Sequence, residues 1–437
     1  MEPFLKQFIR FEMKKIAGTR FTILVLLSAM LCNLFLFALN VQEQRNYGGI
    51  VEFHGIEAIQ RDRQLMGRLK GFLTDEYRQT IEVQRTAIEN NPDNLELDEK
   101  GMEKKIEVLR SFGYGEEAIA KTPPIMKVKG DVYLGELNAY EFYRSHTSLL
   151  SYIPKVIEEL REGNIDGIYE RRINPAHPVK PELSMAEVNT LLQMYERIDN
   201  ERTKNPVYYD YFYGWRNLCE EFPFITVVVL GAIIIICLSP VFSQEYSLHT
   251  DAIILTTKYG KSTLIKAKII SAFLFATLVY ICFAAINLGL YAAFFGMDGA
   301  NSSIQLYAWY YQSPYNLTYG ELYLTLLGLG YLGLMFMTAI TLFISSRGKN
   351  PFISVVLSGL LLYVPNIDLS VQSHLAYKIM SLFPVNIMRA NDDFELGVLY
   401  DFFGLILTQP VAMATAAFLG LVLLIPTAYR SFQRHEA

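Results

Sequence analysis

The chain has 437 residues, 51% of them hydrophobic and 13% aromatic, with a positive mean hydropathy and a net charge of −5. An ordinary soluble domain is less apolar than this, so a purely soluble globular protein is excluded. Four cysteines without a C-x-x-C or a Cys/His cluster give neither a disulfide framework nor a zinc site, and Cys32, Cys219, Cys237 and Cys282 are read as small apolar residues in or beside apolar runs.

The N-terminal stretch MEPFLKQFIRFEMKKIAGTR places Phe4, Leu5, Phe8, Ile9, Met13 and Ile16 at helical spacing, with Lys6, Arg10 and Lys14 on another face. That is the pattern of a helix lying at a membrane interface over residues 1–20. An apolar run at 21–41 comes next, too long for the core of a cleavable signal and without a small-residue cleavage site. Crossing a bilayer takes about 20 apolar residues as helix. By that measure 21–41, 222–242, 269–296, 322–344 and 405–429 are spans, and 351–364 is a shorter sixth candidate, fifth in chain order.

The insert at 42–221 is hydrophilic, with 24 Lys and Arg against 32 Asp and Glu. Charged pairs at i, i+4 and the absence of period-2 alternation predict a mainly helical domain. Ser184 followed by Glu187 is a capping box. A second helical stretch, 139–163, is interrupted near Pro154, and Pro/Gly-rich segments at 121–131 and 171–184 read as connections. The insert ends in the aromatic run YYDYFYGWRNLCEEF, where Trp215 is expected at headgroup level. Residues 365–404 hold SHLAYKIMSLFPVNIM, apolar enough to re-enter the membrane before the last span.

Long loops do not set orientation, but short ones do. Outside the insert, 13 of 15 Lys and Arg lie at 1–20, 243–268, 346–350 and 430–437. With six spans these share one side, so both termini are expected to be cytoplasmic, and 42–221, 297–321 and 365–404 extracytoplasmic, in a multi-pass protein of the cell membrane.

The loop at 243–268 contains TTKYGKST, which ends like a phosphate-binding G-x-x-x-x-G-K-[ST] loop. The first glycine of that motif would stand at 255, which is Leu255. The motif also needs a strand before it and an α/β domain around it, and too few residues separate the spans to supply one. No H-E-x-x-H, G-x-S-x-G or paired intramembrane carboxylate occurs, and the six histidines are scattered. No catalytic, cofactor or metal site is expected in this chain.

VFSQEYSLHTDAIILTTKYGKSTLIKAKIISA instead resembles the loop between the second and third spans of ABC-2-type transporter permeases. There an acidic residue follows the second span, then come a short coupling helix, a turn, and a Lys opening the third span. Glu245, the DAIILTT segment with Asp251, Ala252, Ile254 and Leu255, the turn with Tyr259, Gly260 and Lys261, and Lys268 match those positions. Leu248-His249 stands where the family usually has a glycine. The resemblance covers 1–41 and 207–437. It implies an all-α polytopic protein with six transmembrane helices, an N-terminal interfacial helix and a re-entrant element before the last span.

The resemblance further implies an export permease, not itself an enzyme, moving a peptide, lipid or drug-like amphiphile outward. ATP and Mg would be carried by a separate ATPase subunit docked on the coupling helix, where Ala252, Leu255 and Ile254 offer an apolar patch. A second permease chain, identical or not, would complete the pathway among membrane lipids; no nucleic acid is involved. Asn33, Asn40, Asn287, Thr325, Thr338 and Thr341 are candidates to line the pathway, with helix–helix hydrogen bonding as their other role. Trp215 and Lys268 are candidate interface anchors. A reading from another class is a membrane-anchored sensor or scaffold whose extracytoplasmic domain binds a ligand.

Overall fold

The structure, a computed structural model, describes residues 3–47, 52–163, 183–363 and 374–434. The chain divides into two compact units, one of residues 1–40, 149–204 and 212–437, the other of 41–148 and 205–211. The division falls inside the insert expected as a single domain at 42–221.

The first unit contains helices α1 (Pro3–Ala17), α2 (Arg20–Glu43), α3 (Tyr152–Arg161), α4 (Met185–Lys204), α5 (Tyr213–Ser247), α6 (Asp251–Thr256), α7 (Gly260–Phe294), α8 (Tyr319–Ser345), α9 (Pro351–Tyr363), α10 (His374–Ser381), α11 (Pro384–Met388) and α12 (Gln409–Gln433). Among the described residues, α2, α5, α7, α8 and α12 are long and apolar enough to cross a membrane, as in a multi-pass membrane protein. The most apolar stretch of α5 is 72% buried, against 17% for α2 and 22% for α12, so α5 is the centre of the bundle.

α5 is not a regular helix. It widens into a π turn at Thr226–Leu230 and carries Pro240, which has no N–H to donate. Ser345, at the end of α8, fills in at this break. Its Oγ accepts from the backbone N–H of Phe242 (3.0 Å) and Ser243 (3.1 Å) and donates to the carbonyl of Ser239 (2.6 Å). A single hydroxyl thus repairs α5 and fixes it to α8.

The short apolar stretch is helical only over the 13 residues of α9, less than a full crossing. Leu362 near its end meets Gly231, at mid-length of α5, where an added Cβ would lie 2.9 Å from the leucine Cδ2. α11 packs on Gly333, at mid-length of α8, with Met388 Cγ 2.8 Å from the position a Cβ would take. Part of the expected re-entrant segment, 365–373, lies outside the described residues. After α11 the chain forms an antiparallel hairpin, Leu399–Phe402 with Leu405–Thr408, which was not expected from the sequence. Its two turn residues, Phe403 (φ 55°) and Gly404 (φ 91°), both adopt the left-handed backbone of tight hairpin turns.

α3 and α4 join this unit because the hairpin's Leu399 completes their core of Ile153, Val156, Leu191, Tyr195 and Ile198. The capping box at the head of α4 forms as expected: Ser184 Oγ accepts from Glu187 N (3.2 Å), and Glu187 Oε2 accepts from Ser184 N (2.8 Å). Pro154 lies in the first turn of α3, where its missing donor does no harm.

The second unit is mainly helical, with helices at Gly55–Arg68, Asp75–Glu89, Glu99–Ser111, Glu116–Ala120 and Asn138–Ser148. Three two-stranded ladders accompany them, including Leu95–Leu97 with Met126–Val128, inside a segment read as a connection. Strands of two or three residues are too short to show alternation. Buried Arg85 is held by Glu82 (2.6 Å), Glu89 (2.7 Å) and Glu141 (3.0 Å), which pins the Asp75–Glu89 helix to the Asn138–Ser148 helix.

Next to the hairpin of the first unit, Asp393 is buried. Its Oδ1 accepts from Tyr377 Oη (2.7 Å) and Gln409 Nε2 (2.5 Å). Burial pushes this carboxyl up to about 7 from its ordinary 3.8; hydrogen bonding by Tyr377 opposes the rise, and the charge of Asp392 adds to it. A carboxyl that holds its proton more tightly when folded contributes stability below its unfolded pKa, roughly 4, and loses it as pH rises through 7. Asp393→Asn should therefore stabilise the protein progressively, relative to the native chain, across that interval. Thermal unfolding in detergent checks this; an unchanged difference between the two proteins across the window would contradict it.

Candidate functional site

Glu12 is the one acidic residue on the inward stripe of α1, four residues from both Phe8 and Ile16. α1 lies along α7, where Ser271 Oγ donates to the carbonyl of Ile9 (3.1 Å). That contact carries Glu12 beneath the surface, 3% exposed, to meet Lys268, which is 0% exposed. Lys268 Nζ donates to Glu245 Oε1 (2.8 Å), to the carbonyl of Val241 (3.0 Å) and to Glu12 Oε2 (3.2 Å), so all three ammonium donors are used. Glu245 also receives Lys15 Nζ on Oε1 (2.5 Å) and Thr250 Oγ1 on Oε2 (2.5 Å). Two carboxylates and two ammoniums thus form a neutral, hydrogen-bonded cluster in which α1, the end of α5 and the start of α7 meet. Charges buried this way are tolerated only when paired and satisfied.

The loop hangs from this cluster. The backbone N–H of Thr250 returns to the carbonyl of Glu245 (2.9 Å), which requires His249 to take φ 54°. His249 therefore occupies the left-handed conformation that a glycine at this place would take freely, and histidine is among the side chains that tolerate it. α6 comes next, and the chain turns back through Thr257–Gly260. Gly260 admits no side chain, since an added Cβ would fall 1.7 Å from the carbonyl oxygen of Ile254. Tyr259 stacks on Phe4 of α1 (5.3 Å between ring centroids). The carbonyl of Lys261 accepts from Tyr429 Oη and Gln433 Nε2 of α12, both at 3.2 Å. Tyr246 Oη donates to the carbonyl of Ser346 (2.8 Å), and Phe432 packs on Phe242.

These positions revise several expectations. Leu255 and Asp251, expected on a surface patch, are buried, and the exposed large apolar side chains of the loop are Ile253 (68%) and Leu248 (61%). The single turn-and-a-half of α6 explains this, because its inward face must cover the turn at Gly260. Ala252 and Ile254 are half-buried. Lys268, expected at the headgroups, is enclosed by its two carboxylates. Trp215 is half-buried and fixed by Nε1 donating to the carbonyl of Met297 (3.1 Å).

The candidate pathway residues are also occupied in bonds within the chain. Asn287 Nδ2 donates to Asn33 Oδ1 (3.1 Å), joining α7 to α2, and Asn40 Nδ2 donates to Glu221 (2.9 Å). Thr325, Thr338 and Thr341 each donate to the carbonyl four residues back in α8. Asn33, Asn287, Thr338 and Thr341 are buried, and among the described residues Asn33 Nδ2 and Asn287 Oδ1 have no hydrogen-bond partner.

The GKST stretch opens α7 as a π turn and is preceded by a helix, not a strand. The N–H of Gly260 donates to Thr257, and those of Ser262 and Leu264 donate to Tyr259, so they do not form an open anion cradle. Among the described residues, no three His, Cys, Asp or Glu side chains converge as a metal site would need. Glu12 and Lys15 are the site residues missed in the sequence; the available signal was a carboxylate on the apolar stripe of an otherwise basic helix. No family model, curated protein or solved structure matches the chain.

Removing one member of a buried, paired charge cluster leaves the others uncompensated, a loss of about 3–5 kcal/mol. Lys268→Ala should destabilise the protein by that order in denaturant or thermal unfolding. Neutralising the whole cluster (Glu12→Gln, Glu245→Gln, Lys15→Met, Lys268→Met) should recover most of the loss. Equal stability of Lys268→Ala and the native chain would mean the cluster is not closed.

Proposed function

We propose that the chain is the permease subunit of an ATP-binding-cassette exporter, coupling ATP hydrolysis on a partner subunit to outward movement of a peptide, lipid or amphiphile. The observation that carries this reading is the Glu12–Lys268–Glu245–Lys15 cluster. It makes α1, the end of α5, the loop helix α6 and the start of α7 a single mechanical piece. A push on a short helix held this way is transmitted to two long helices as rigid-body motion rather than absorbed by the loop. Leu248 and Ile253 supply the apolar anchors for a partner's groove, with Lys258 and Lys261 exposed on the same loop.

In this proposal the chain crosses six times. The fifth crossing is broken: α9 covers one half of the depth and α11 enters the other. Both termini and the 243–268 loop are then cytoplasmic, in keeping with the lysine and arginine distribution, and 42–221 is extracytoplasmic. A second permease chain would cover the apolar surfaces of α2 or α12. A sensor or scaffold would need neither the loop helix nor the exposed pair, Ile253 on it and Leu248 just before it.

The purified chain alone should hydrolyse no ATP, with or without Lys261→Ala. Ile253→Asp should leave expression and unfolding unchanged but lower transport-coupled ATPase activity of the assembled complex at least tenfold, as loss of a buried anchor worth about 2 kcal/mol implies. An impermeant maleimide applied to intact cells should label Ser151→Cys and spare Ser262→Cys. ATP hydrolysis by the chain itself, abolished by Lys261→Ala, would overturn the reading.

A further inference from the structure

Between α7 and α8 the first unit has a cavity of about 680 Å³. Ala284, Ala285 and Gly320 are among its lining residues, and their small side chains leave the space unfilled. Tyr280 forms its floor and is locked there, its Oη donating to the carbonyl of Leu327 (2.7 Å). Trp215 forms a wall, its indole held edge-on to Tyr323 (5.6 Å) and through Nε1 to Met297. The long sides, Ile281 and Leu324, are exposed at 56% and 67% on helices apolar enough to span a membrane, so the cavity opens sideways toward lipid.

Its chemistry is graded. One end is hydrocarbon; the other, at the start of α8, carries Asn301, Thr318 and Glu321, and no lysine or arginine lines it. Glu321 is exposed, and through Oε2 it accepts from Thr318 N (2.9 Å) and Thr318 Oγ1 (3.0 Å) as the second half of a capping box. Those bonds are both made by Oε2, and the exposed carboxylate remains open to a ligand at the rim.

We propose that this groove binds an amphiphile with a single alkyl chain and a cationic head group, the chain lying against Tyr280 and Ala285 and the head pairing with Glu321. The volume suits a chain of drug-like size. The carboxylate without a basic neighbour selects the sign of the head. The proposal rests on α7 and α8 lying in a membrane, not on the ATPase partner, so it stands or falls separately from the exporter reading.

The chain has two tryptophans, so Trp309→Phe leaves Trp215 as the only indole reporter. In that background, in nanodiscs, chain-brominated dodecyltrimethylammonium should quench Trp215 saturably. The dodecyl sulfate of the same chain should need several-fold more for the same quenching. Ala285→Phe should abolish the saturable phase. Glu321→Gln, which keeps the cap because glutamine accepts the same bonds, should weaken the cationic probe roughly three- to five-fold, as expected for an exposed ion pair, and narrow its advantage over the anionic one. Linear, head-group-blind quenching would mean simple lipid partitioning. Quenching that vanishes when two copies share a nanodisc would assign the groove to a second chain. Either result overturns the proposal.

Discussion

A lysine ammonium with no access to water is the constraint on which the bundle's loop end is built. Lys268 cannot stay charged in the interior unless carboxylates come to it, and the two that do arrive from different parts of the chain: Glu12 from the N-terminal helix and Glu245 from the end of the central helix. Satisfying one charge therefore fixes the relative placement of three helices. Replacing such a cluster with well-packed apolar residues is often neutral for stability, so its value here is register. It decides which turn of α1 faces which turn of α7, and so where α6 projects.

The same logic explains why this end of the molecule is polar inside. Pro240 breaks the ladder of α5, and Ser345 of α8 closes the gap. Tyr246, Tyr429 and Gln433 each donate to backbone carbonyls near the end of α8 or the start of α7. Polar side chains thus fasten the helix termini at this end, where backbone groups need partners, while the middle of the bundle combines close packing, as at Gly231 against Leu362 and Gly333 against Met388, with single bonds such as Tyr280 to Leu327 and Asn287 to Asn33.

Apolar run length located the five long helices in the sequence, and the capping rule located the head of α4, because both signals are local. The loop carrying Glu245, Gly260 and Lys268 was also visible as a pattern. What could not be seen was direction. Leu255 and Ile253 are equally apolar, and only the packing of the turn on Gly260 decides that the first is covered and the second exposed. Glu12 looked like one more charge on a basic helix until α7 supplied Lys268. The hairpin at 399–408 was hidden because Leu399 completes a core built by helices far away in sequence, while Tyr400 packs with Val398 and Ala412 nearby.

If the charge cluster sets the position of α6 relative to α1, their separation depends on it. Spin labels on the exposed positions Phe11→Cys and Ile253→Cys, with Cys32 and Cys282 replaced by serine, report that separation by pulsed dipolar spectroscopy in nanodiscs. A single narrow distance distribution is expected in the otherwise native chain, and a broad one when Glu245→Gln removes the cluster's shared carboxylate. Equally narrow distributions in both proteins would show that α6 is positioned without the cluster and would contradict the account.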